Sequence, residues 1–241
     1  MTALVVLTMF AVFITLDWVL IRRSERQAAA AEASGTISAE VSPAPAPVSE
    51  PELLLDPVFV AGYELPEPLH YHRGHTWVRV LGPDMVAVGI DDFARRLIGR
   101  AKSLRLPDVG TWLTQGASSC GVDTEGRSVD MLSPVAGRVC EVNPDLDDRP
   151  ATATEDPYRR GWLFKVQSPD LVYSLRNLFS GRLARKWIED AREQLDLRLM
   201  ALSGSVLQDG GDPAQDFGDH LAHEDWAHLV GSFLLTEAHH D

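Results

Sequence analysis

Short segments of alternating apolar and polar residues run through the middle of the chain, from Tyr71 to Gln167. The alternation on either side of Gly82-Pro83-Asp84 predicts an antiparallel hairpin with its turn at those three residues. Most of the other segments are also separated by glycine or proline, and the last predicted strand covers 161–167. Many short strands with such corners favour a mainly β fold, either a small sandwich or a flattened barrel with short helices.

One segment of this region has the periodicity of a helix. Phe93, Leu97 and Ile98 fall on one helical face, which predicts a short helix just after the first hairpin. A strand over 101–106 is expected to follow, because the next turn signal begins at Pro107.

The stretch CGVDTEGRSVDMLSPVAG, residues 120–137, predicts a second hairpin. Two strand-like halves flank a tight turn whose tip is Thr124-Glu125-Gly126-Arg127. Glycine suits such a turn, because it adopts a positive φ without strain.

Helical periodicity returns after Ser180. An amphipathic helix is predicted there, and its apolar stripe consists of Leu183, Trp187, Ala191, Leu195, Leu199 and Leu202. A second short helix is predicted further along, with the apolar anchors Leu221, Trp226, Leu229, Phe233 and Leu234.

From Trp187 to the end there are twelve acidic residues and two arginines. A solvated acidic face is the simplest interpretation, and an acidic tail that docks a partner is the alternative.

The amino-terminal end is apolar over Ala3–Ile21, where Asp17 is the one charged residue. This length matches the hydrocarbon core of a bilayer, so we predict a single transmembrane helix over 1–23. No Lys or Arg precedes the run, whereas Arg22, Arg23 and Arg26 follow it. The positive-inside rule then places the globular part on the cytoplasmic side of the cell membrane. A cleaved signal peptide with AAAAEAS as its cleavage region is the alternative.

Residues 24–60 are rich in Ala, Pro, Ser and Glu and poor in aromatic residues. Such a segment cannot bury enough apolar surface to offset its chain entropy, so we predict a disordered linker there. The β-rich domain is then expected over 61–172, and an acidic helical extension over 173–241.

The net charge of −13 argues against a nucleic-acid partner, because no basic stripe is present to neutralise phosphates.

Cys120 and Cys140 lack metal-binding spacing, so we expect two small buried hydrophobic residues. The sequence leaves open whether a disulfide joins them. His223 and His228 of HLAHEDWAH are five positions apart and do not have the spacing of an HExxH helix, and His75 of HYHRGH is interpreted as a structural residue at the start of a strand, so no metal site is predicted. No motif for a catalytic nucleophile or a phosphate-binding loop occurs, so we predict no catalytic residue and no enzyme activity.

A set of residues in the β-rich region resembles the H protein of the glycine cleavage system in order and spacing. The matching residues are Tyr71, His75-Thr76-Trp77-Val78, Val88-Gly89-Ile90, Leu106-Pro107-Asp108-Val109-Gly110, Asp130, Ser133-Pro134-Val135-Ala136-Gly137, Val139, Glu141-Val142-Asn143-Pro144, Glu155-Asp156-Pro157-Tyr158 and Gly161-Trp162-Leu163. This resemblance implies a lipoyl/biotinyl-like hybrid barrel-sandwich whose hairpin presents a lipoyl-lysine. It also implies partners, since family members carry lipoate between glycine decarboxylase (P protein), aminomethyltransferase (T protein) and dihydrolipoamide dehydrogenase (L protein).

The chain departs from the family pattern at the attachment site itself. The family has Glu-Ser-Val-Lys-Ala there, whereas this sequence has Asp123-Thr124-Glu125-Gly126-Arg127, so that Gly126 occupies the position of the lipoyl-lysine. The three lysines of the chain are Lys102, Lys165 and Lys186, none of which belongs to the hairpin. Attachment of lipoate needs a primary amine, and a guanidinium stays protonated. We therefore predict that no lipoate and no other cofactor is bound.

These observations lead to one hypothesis and three alternatives. The hypothesis is a non-catalytic, membrane-tethered binding or scaffold module, whose contact surface is the hairpin tip of Asp123, Thr124, Glu125, Gly126 and Arg127. The first alternative is an accessory participant in glycine cleavage or lipoate metabolism, which docks P protein, T protein or a lipoate-handling enzyme. The second is a membrane-fusion-type adaptor of an export system, which requires an exported domain. The third is an enzyme that uses the histidine clusters.

Overall fold

The computed structural model describes residues 58–203 and 221–236 and the backbone of residues 238–239. The transmembrane helix predicted over 1–23 and nearly all of the predicted linker lie outside these residues. Within them, no helix is both long enough and apolar enough to cross a membrane. The membrane anchor therefore stays a prediction from the sequence.

The strands of the described residues form three antiparallel sheets. They are β1 (Phe59–Val60), β2 (Tyr63–Glu64), β3 (His70–Tyr71), β4 (Thr76–Val80), β5 (Met85–Ile90), β6 (Ser103–Arg105), β7 (Trp112–Leu113), β8 (Ser118–Thr124), β9 (Arg127–Leu132), β10 (Gly137–Val142), β11 (Phe164–Gln167) and β12 (Ala238–His239). β1 and β2 form a two-stranded ribbon. The other strands form a six-stranded sheet in the order β3-β4-β5-β11-β10-β7 and a four-stranded sheet in the order β12-β9-β8-β6. The predicted mainly β architecture with short helices is thus confirmed.

The first predicted hairpin consists of β4 and β5, and residues 81–84 connect them. Gly89 pairs with Trp77 across this hairpin. A Cβ atom at position 89 would lie 2.4 Å from Trp77 Cζ2, which is closer than side chains tolerate. The missing side chain leaves room for the indole, and Trp77 is completely buried in the core.

Helices connect the strands and extend the fold at its C-terminal end. They are α1 (Asp92–Ile98), α2 (Asp145–Asp148), α3 (Thr152–Glu155), α4 (Leu171–Leu175), α5 (Gly181–Ser203) and α6 (His223–Phe233). The short helix predicted after the first hairpin is α1. Its N-cap Asp91 accepts a hydrogen bond from the Ala94 N–H at 2.8 Å, and Gly99 ends the helix with a φ of 85°.

Two strands are shorter than the sequence pattern predicts. β6 begins at Ser103 rather than Ala101, because the Ala101 N–H donates to the Thr154 hydroxyl at 3.1 Å and not to a neighbouring strand. β11 begins at Phe164, because residues 158–161 form a turn before it.

Both C-terminal helices pack against the β domain and join its core. Their buried side chains are Ala184, Ile188, Ala191 and Leu195 of α5 and Trp226, Leu229, Val230 and Phe233 of α6. The predicted stripe on α5 is correct in its middle but not at its ends, where Leu183 and Leu202 are 69% and 42% exposed. At the first turn the neighbouring Ala184 is buried in place of Leu183, and at the other end Leu202 lies one turn beyond Leu199, which still packs against the core.

The two cysteines are free thiols and do not form a disulfide. Cys120 is buried, as expected, but Cys140 is exposed, so the expectation of two buried cysteines is wrong for Cys140. The physical reason is the alternation of side chains along β10, in which Val139 points into the core and its neighbour Cys140 points outward.

Candidate functional site

The hairpin of β8 and β9 ends in a turn of two residues. Its last strand pair is Thr124 with Arg127, and the turn residues Glu125 and Gly126 are both exposed. Gly126 has a φ of 71°, a left-handed conformation that glycine adopts without strain. No heavy atom lies within 4 Å of the place where a Cβ at position 126 would sit. The space around position 126, at the end of the predicted tip, is therefore open.

Asp123 is bonded within the protein rather than presented at the surface of the tip. Its carboxylate accepts hydrogen bonds from the hydroxyls of Ser103 at 2.8 Å and Ser128 at 2.7 Å, and it forms an ion pair with Arg105. Partial burial alone would raise the pKa of Asp123, but the hydrogen bonds from Ser128, Ser103 and Arg105 hold it below its usual value. Arg105 also pairs with Asp130 at 3.1 Å, so these contacts connect β6, β8 and β9.

Arg127 contacts the C-terminal helix α6. Its Nη2 donates a hydrogen bond to the Leu221 carbonyl oxygen at 2.5 Å, and its guanidinium lies 4.9 Å from the centroid of the Trp226 ring. Trp226 is fully buried, and its Nε1–H donates to the Leu97 carbonyl oxygen at 2.7 Å. The backbone of β12 then pairs with β9. One side of the hairpin is therefore covered by the chain's own C-terminal residues.

The hairpin carries no primary amine. Position 126 is a glycine. The lysine beside the hairpin is Lys102, which directly precedes β6. The sequence pattern predicts that Lys102 belongs to a strand, and this prediction is wrong. Lys102 is exposed, and its backbone N–H donates to the Asp123 carbonyl oxygen at 2.7 Å. The residues of the tip do not fit covalently attached lipoate, because the amide bond requires an amine on a flexible side chain.

The two other lysines form ion pairs away from the hairpin. Lys165 Nζ lies 3.2 Å from Glu141 Oε2 and 4.8 Å from the centroid of the Trp162 ring. Lys186 Nζ lies 2.7 Å from Asp190 Oδ1 on the next turn of α5. Both ammonium groups thus have a partner within the chain.

The cysteine thiols are not activated nucleophiles. Burial raises the pKa of Cys120 to about 12, and partial burial also raises the pKa of Cys140, so both thiols stay protonated at neutral pH. Among the described residues, no group of three His, Cys, Asp or Glu side chains is arranged to hold a metal ion.

Comparison with known proteins gives the family. The family model described as Glycine cleavage H-protein matches residues 69–191. The glycine cleavage system H protein of Mycobacterium avium is 43% identical over 107 residues, which are 44% of this chain and 81% of that protein. The chain belongs to the glycine cleavage H-protein family. The H protein of Alteromonas mediterranea is 39% identical over 106 residues, which are 44% of this chain and 82% of that protein.

A crystal structure of the H protein from Mycobacterium marinum is 34% identical and superimposes with a TM-score of 0.42, covering 44% of this chain and 87% of that one. The resemblance found in the sequence is confirmed by the family match. α6 and β12, which cover one side of the H-protein hairpin, lie outside the matched residues.

The side chains that hold the hairpin of β8 and β9 in place are not predicted from the sequence. Arg105 lies 18 positions before Asp123, and Trp226 appears in the sequence only as an apolar anchor of a helix. One signal is present at Gly121, where a Cβ would lie 2.2 Å from Arg105 Nη2. A glycine in the middle of a strand indicates close approach by another group, but it does not say which group approaches.

Replacement of Arg127 by alanine is expected to loosen α6. Loss of the hydrogen bond to Leu221 and of the contact with Trp226 should lower the free energy of unfolding by about 1–3 kcal/mol. Hydrogen exchange followed by mass spectrometry should show faster exchange of the amides in 221–236. Arg182→Ala, which removes an exposed arginine from α5, is the control and should leave that exchange unchanged. Equal exchange in both variants would contradict a role of Arg127 in holding the helix.

Proposed function

We propose that this chain is a non-catalytic docking module of the H-protein family that does not carry lipoate. The observation that carries the proposal is Gly126 at the tip of an intact hairpin, at the position where the family attaches lipoate to a lysine. Without an amine at that position, an amide to lipoate has no place to form. The hairpin and its supporting contacts are nevertheless complete, which favours a role in recognition over a role in transfer.

The proposed partners are enzymes that recognise an H-protein carrier, namely the P or T protein of glycine cleavage or a lipoate-handling enzyme. Glu125 and Gly126 form the centre of the proposed contact, because both are exposed at the tip. Asp123 and Arg127 support it from within, since their side chains are bonded to other parts of the chain. This arrangement presents a small rigid tip to a partner at little entropic cost.

The test of docking is affinity purification of the full-length protein from detergent-solubilised membranes, with identification of the retained proteins. We expect the wild-type protein to retain such an enzyme and Glu125→Trp to lose it, because an indole at the tip prevents close approach. Glu193→Trp makes the same change at an exposed position of α5 and should retain the enzyme. If all three baits retain the same unrelated proteins, the hairpin tip is not the docking surface.

Mass spectrometry of the purified protein tests the absence of lipoate. We expect Lys102, Lys165 and Lys186 to carry no lipoyl amide, including when the protein is produced with lipoate in excess. A lipoyl amide on Lys102, which lies beside the hairpin and directly before β6, would show that the carrier role has moved to a neighbouring segment and would overturn this part of the proposal.

The proposal includes a membrane tether formed by residues 1–23, with the domain on the cytoplasmic side. It is supported by the apolar run and by the arginines that follow it. An alkaline-phosphatase reporter fused after Arg26 is active only when exported, so we expect no activity from it. An active fusion would place the domain on the other side of the membrane and would revive the export-adaptor alternative.

A further inference from the structure

A cavity of about 250 Å³ lies between the loop before β4, one face of α5 and the end of α6. Its lining includes Arg73 and His75 of the loop, Trp187, Asp190 and Gln194 of α5, and Phe233 of α6. The family match ends at residue 191. The wall contributed by α6 is therefore an addition to the part of the chain that matches the family.

His75 is the buried polar side chain of this cavity, with an exposed fraction of 1%. Its ring lies between the rings of Phe93 and Trp187, with centroid distances of 4.2 Å and 4.6 Å, so both faces of the imidazole are covered. Its Nδ1 lies 2.8 Å from Asp91 Oδ2. With both faces and Nδ1 in contact with the protein, the ring edge that carries Nε2 is the part of the imidazole left to line the cavity. No described residue forms a hydrogen bond with Nε2.

The backbone holds His75 firmly in this orientation. Its φ is 61°, a left-handed conformation that is uncommon for a residue with a Cβ and that is found preferentially at binding and active sites. The His75 N–H donates to the His72 carbonyl oxygen at 2.9 Å, and the His75 carbonyl oxygen accepts from the Asp91 N–H at 3.1 Å. Asp91 thus fixes both the backbone and the ring of the same residue.

Among the described lining residues, Arg73 carries the one charge that has no ion-pair partner. Arg73 is exposed, and no carboxylate of the described residues lies within 4.0 Å of its guanidinium. Among the described lining residues Asp190 is the one carboxylate, and the Lys186 ammonium already pairs with it at 2.7 Å. The apolar part of the lining consists of Phe179, Trp187, Ala191, Phe233 and Leu235. The lining thus combines a guanidinium without an ion-pair partner, a buried imidazole whose Nδ1 is bonded to Asp91, and an apolar wall.

We propose that this cavity binds a small organic monocarboxylate with an apolar body. The carboxylate accepts hydrogen bonds from Arg73 and from Nε2–H of His75, which requires the ring to hold both protons when Nδ1–H donates to Asp91. The apolar body packs against Trp187 and Phe233. This site is separate from the hairpin tip, and the proposal does not depend on the docking function.

Calorimetric titration of the full-length protein in detergent tests this proposal, with benzoate as the probe. Benzamide has the same ring without the charge and should bind at least roughly tenfold more weakly, because charge-assisted hydrogen bonds are the stronger ones. Arg73→Ala should weaken benzoate binding by a similar factor, and the fold should be unaffected because Arg73 is exposed. Arg182→Ala, the same change at an exposed position of α5 outside the cavity, should leave the affinity unchanged.

A second variant tests the buried partner. His75→Gln should abolish binding of benzoate while circular dichroism shows that the protein is still folded. Equal binding of benzamide, an unchanged affinity of Arg73→Ala or no heat at millimolar benzoate would each overturn the proposal. Binding of benzylamine in preference to benzoate would show a cation site and would also overturn it.

Discussion

Replacement of Trp226 by alanine is expected to lower the free energy of unfolding by about 3–5 kcal/mol, the range found for large aromatic residues in cores. Trp226 belongs to α6, and its side chain is fully buried in the core. The truncation also removes the hydrogen bond from Nε1 to the Leu97 carbonyl oxygen and the ring beneath the Arg127 guanidinium. Urea denaturation of the wild-type and variant proteins measures this difference.

The chain offers a matched control for this experiment. Trp112 lies on the edge strand β7 and is 56% exposed, so Trp112→Ala removes the same side chain from a site that loses little packing. We expect it to change the free energy of unfolding by no more than about 0.5–1 kcal/mol. If the two variants are equally stable, α6 does not belong to the cooperative core, and the covering of the hairpin by the C-terminal residues is not a stable feature.

Replacement of Gly126 by lysine is expected to create a lipoyl acceptor where the wild-type protein has none. The new side chain would meet no atom within 4 Å of its Cβ, so the tip can carry it into solvent. Because the backbone at position 126 has a φ of 71°, a lysine there should lower the free energy of unfolding by roughly 1–2 kcal/mol. A folded domain can tolerate a loss of this size. Incubation with lipoate, ATP and a lipoate-attaching enzyme, followed by intact mass measurement, gives a yes-or-no result.

Gly116→Lys is the control for Gly126→Lys. Gly116 also has a positive φ, of 80°, and also has open space around its missing Cβ, but it precedes the hairpin and does not lie at its tip. We expect lipoylation at position 126 and none at position 116. If neither lysine is modified, more than the amine has changed in this hairpin, and the contact between Arg127 and α6 becomes the first feature to alter. If both are modified, attachment does not depend on the carrier hairpin.

The sequence predicts the parts of this fold that depend on neighbouring residues. The two hairpins, α1 and the stripe of α5 follow from local alternation, helical spacing and turn residues, which act between positions close together in the chain. Family membership and the replacement of the lysine by Gly126 can also be seen in the sequence, because both are matters of residue identity at a given spacing.

Other features depend on contacts between distant residues, and only the tertiary structure decides them. Trp226 bonds to a carbonyl oxygen 129 positions earlier, and Arg127 bonds to one 94 positions later. No local pattern encodes such pairings, because they arise when separate elements compete to bury the same apolar surface. For the same reason the covered side of the hairpin and the cavity at His75 emerge only when α5 and α6 pack onto the β domain. The sequence by itself thus determined the two hairpins, the family and the missing amine, and the packing of the C-terminal helices determined which surfaces stay open to a partner.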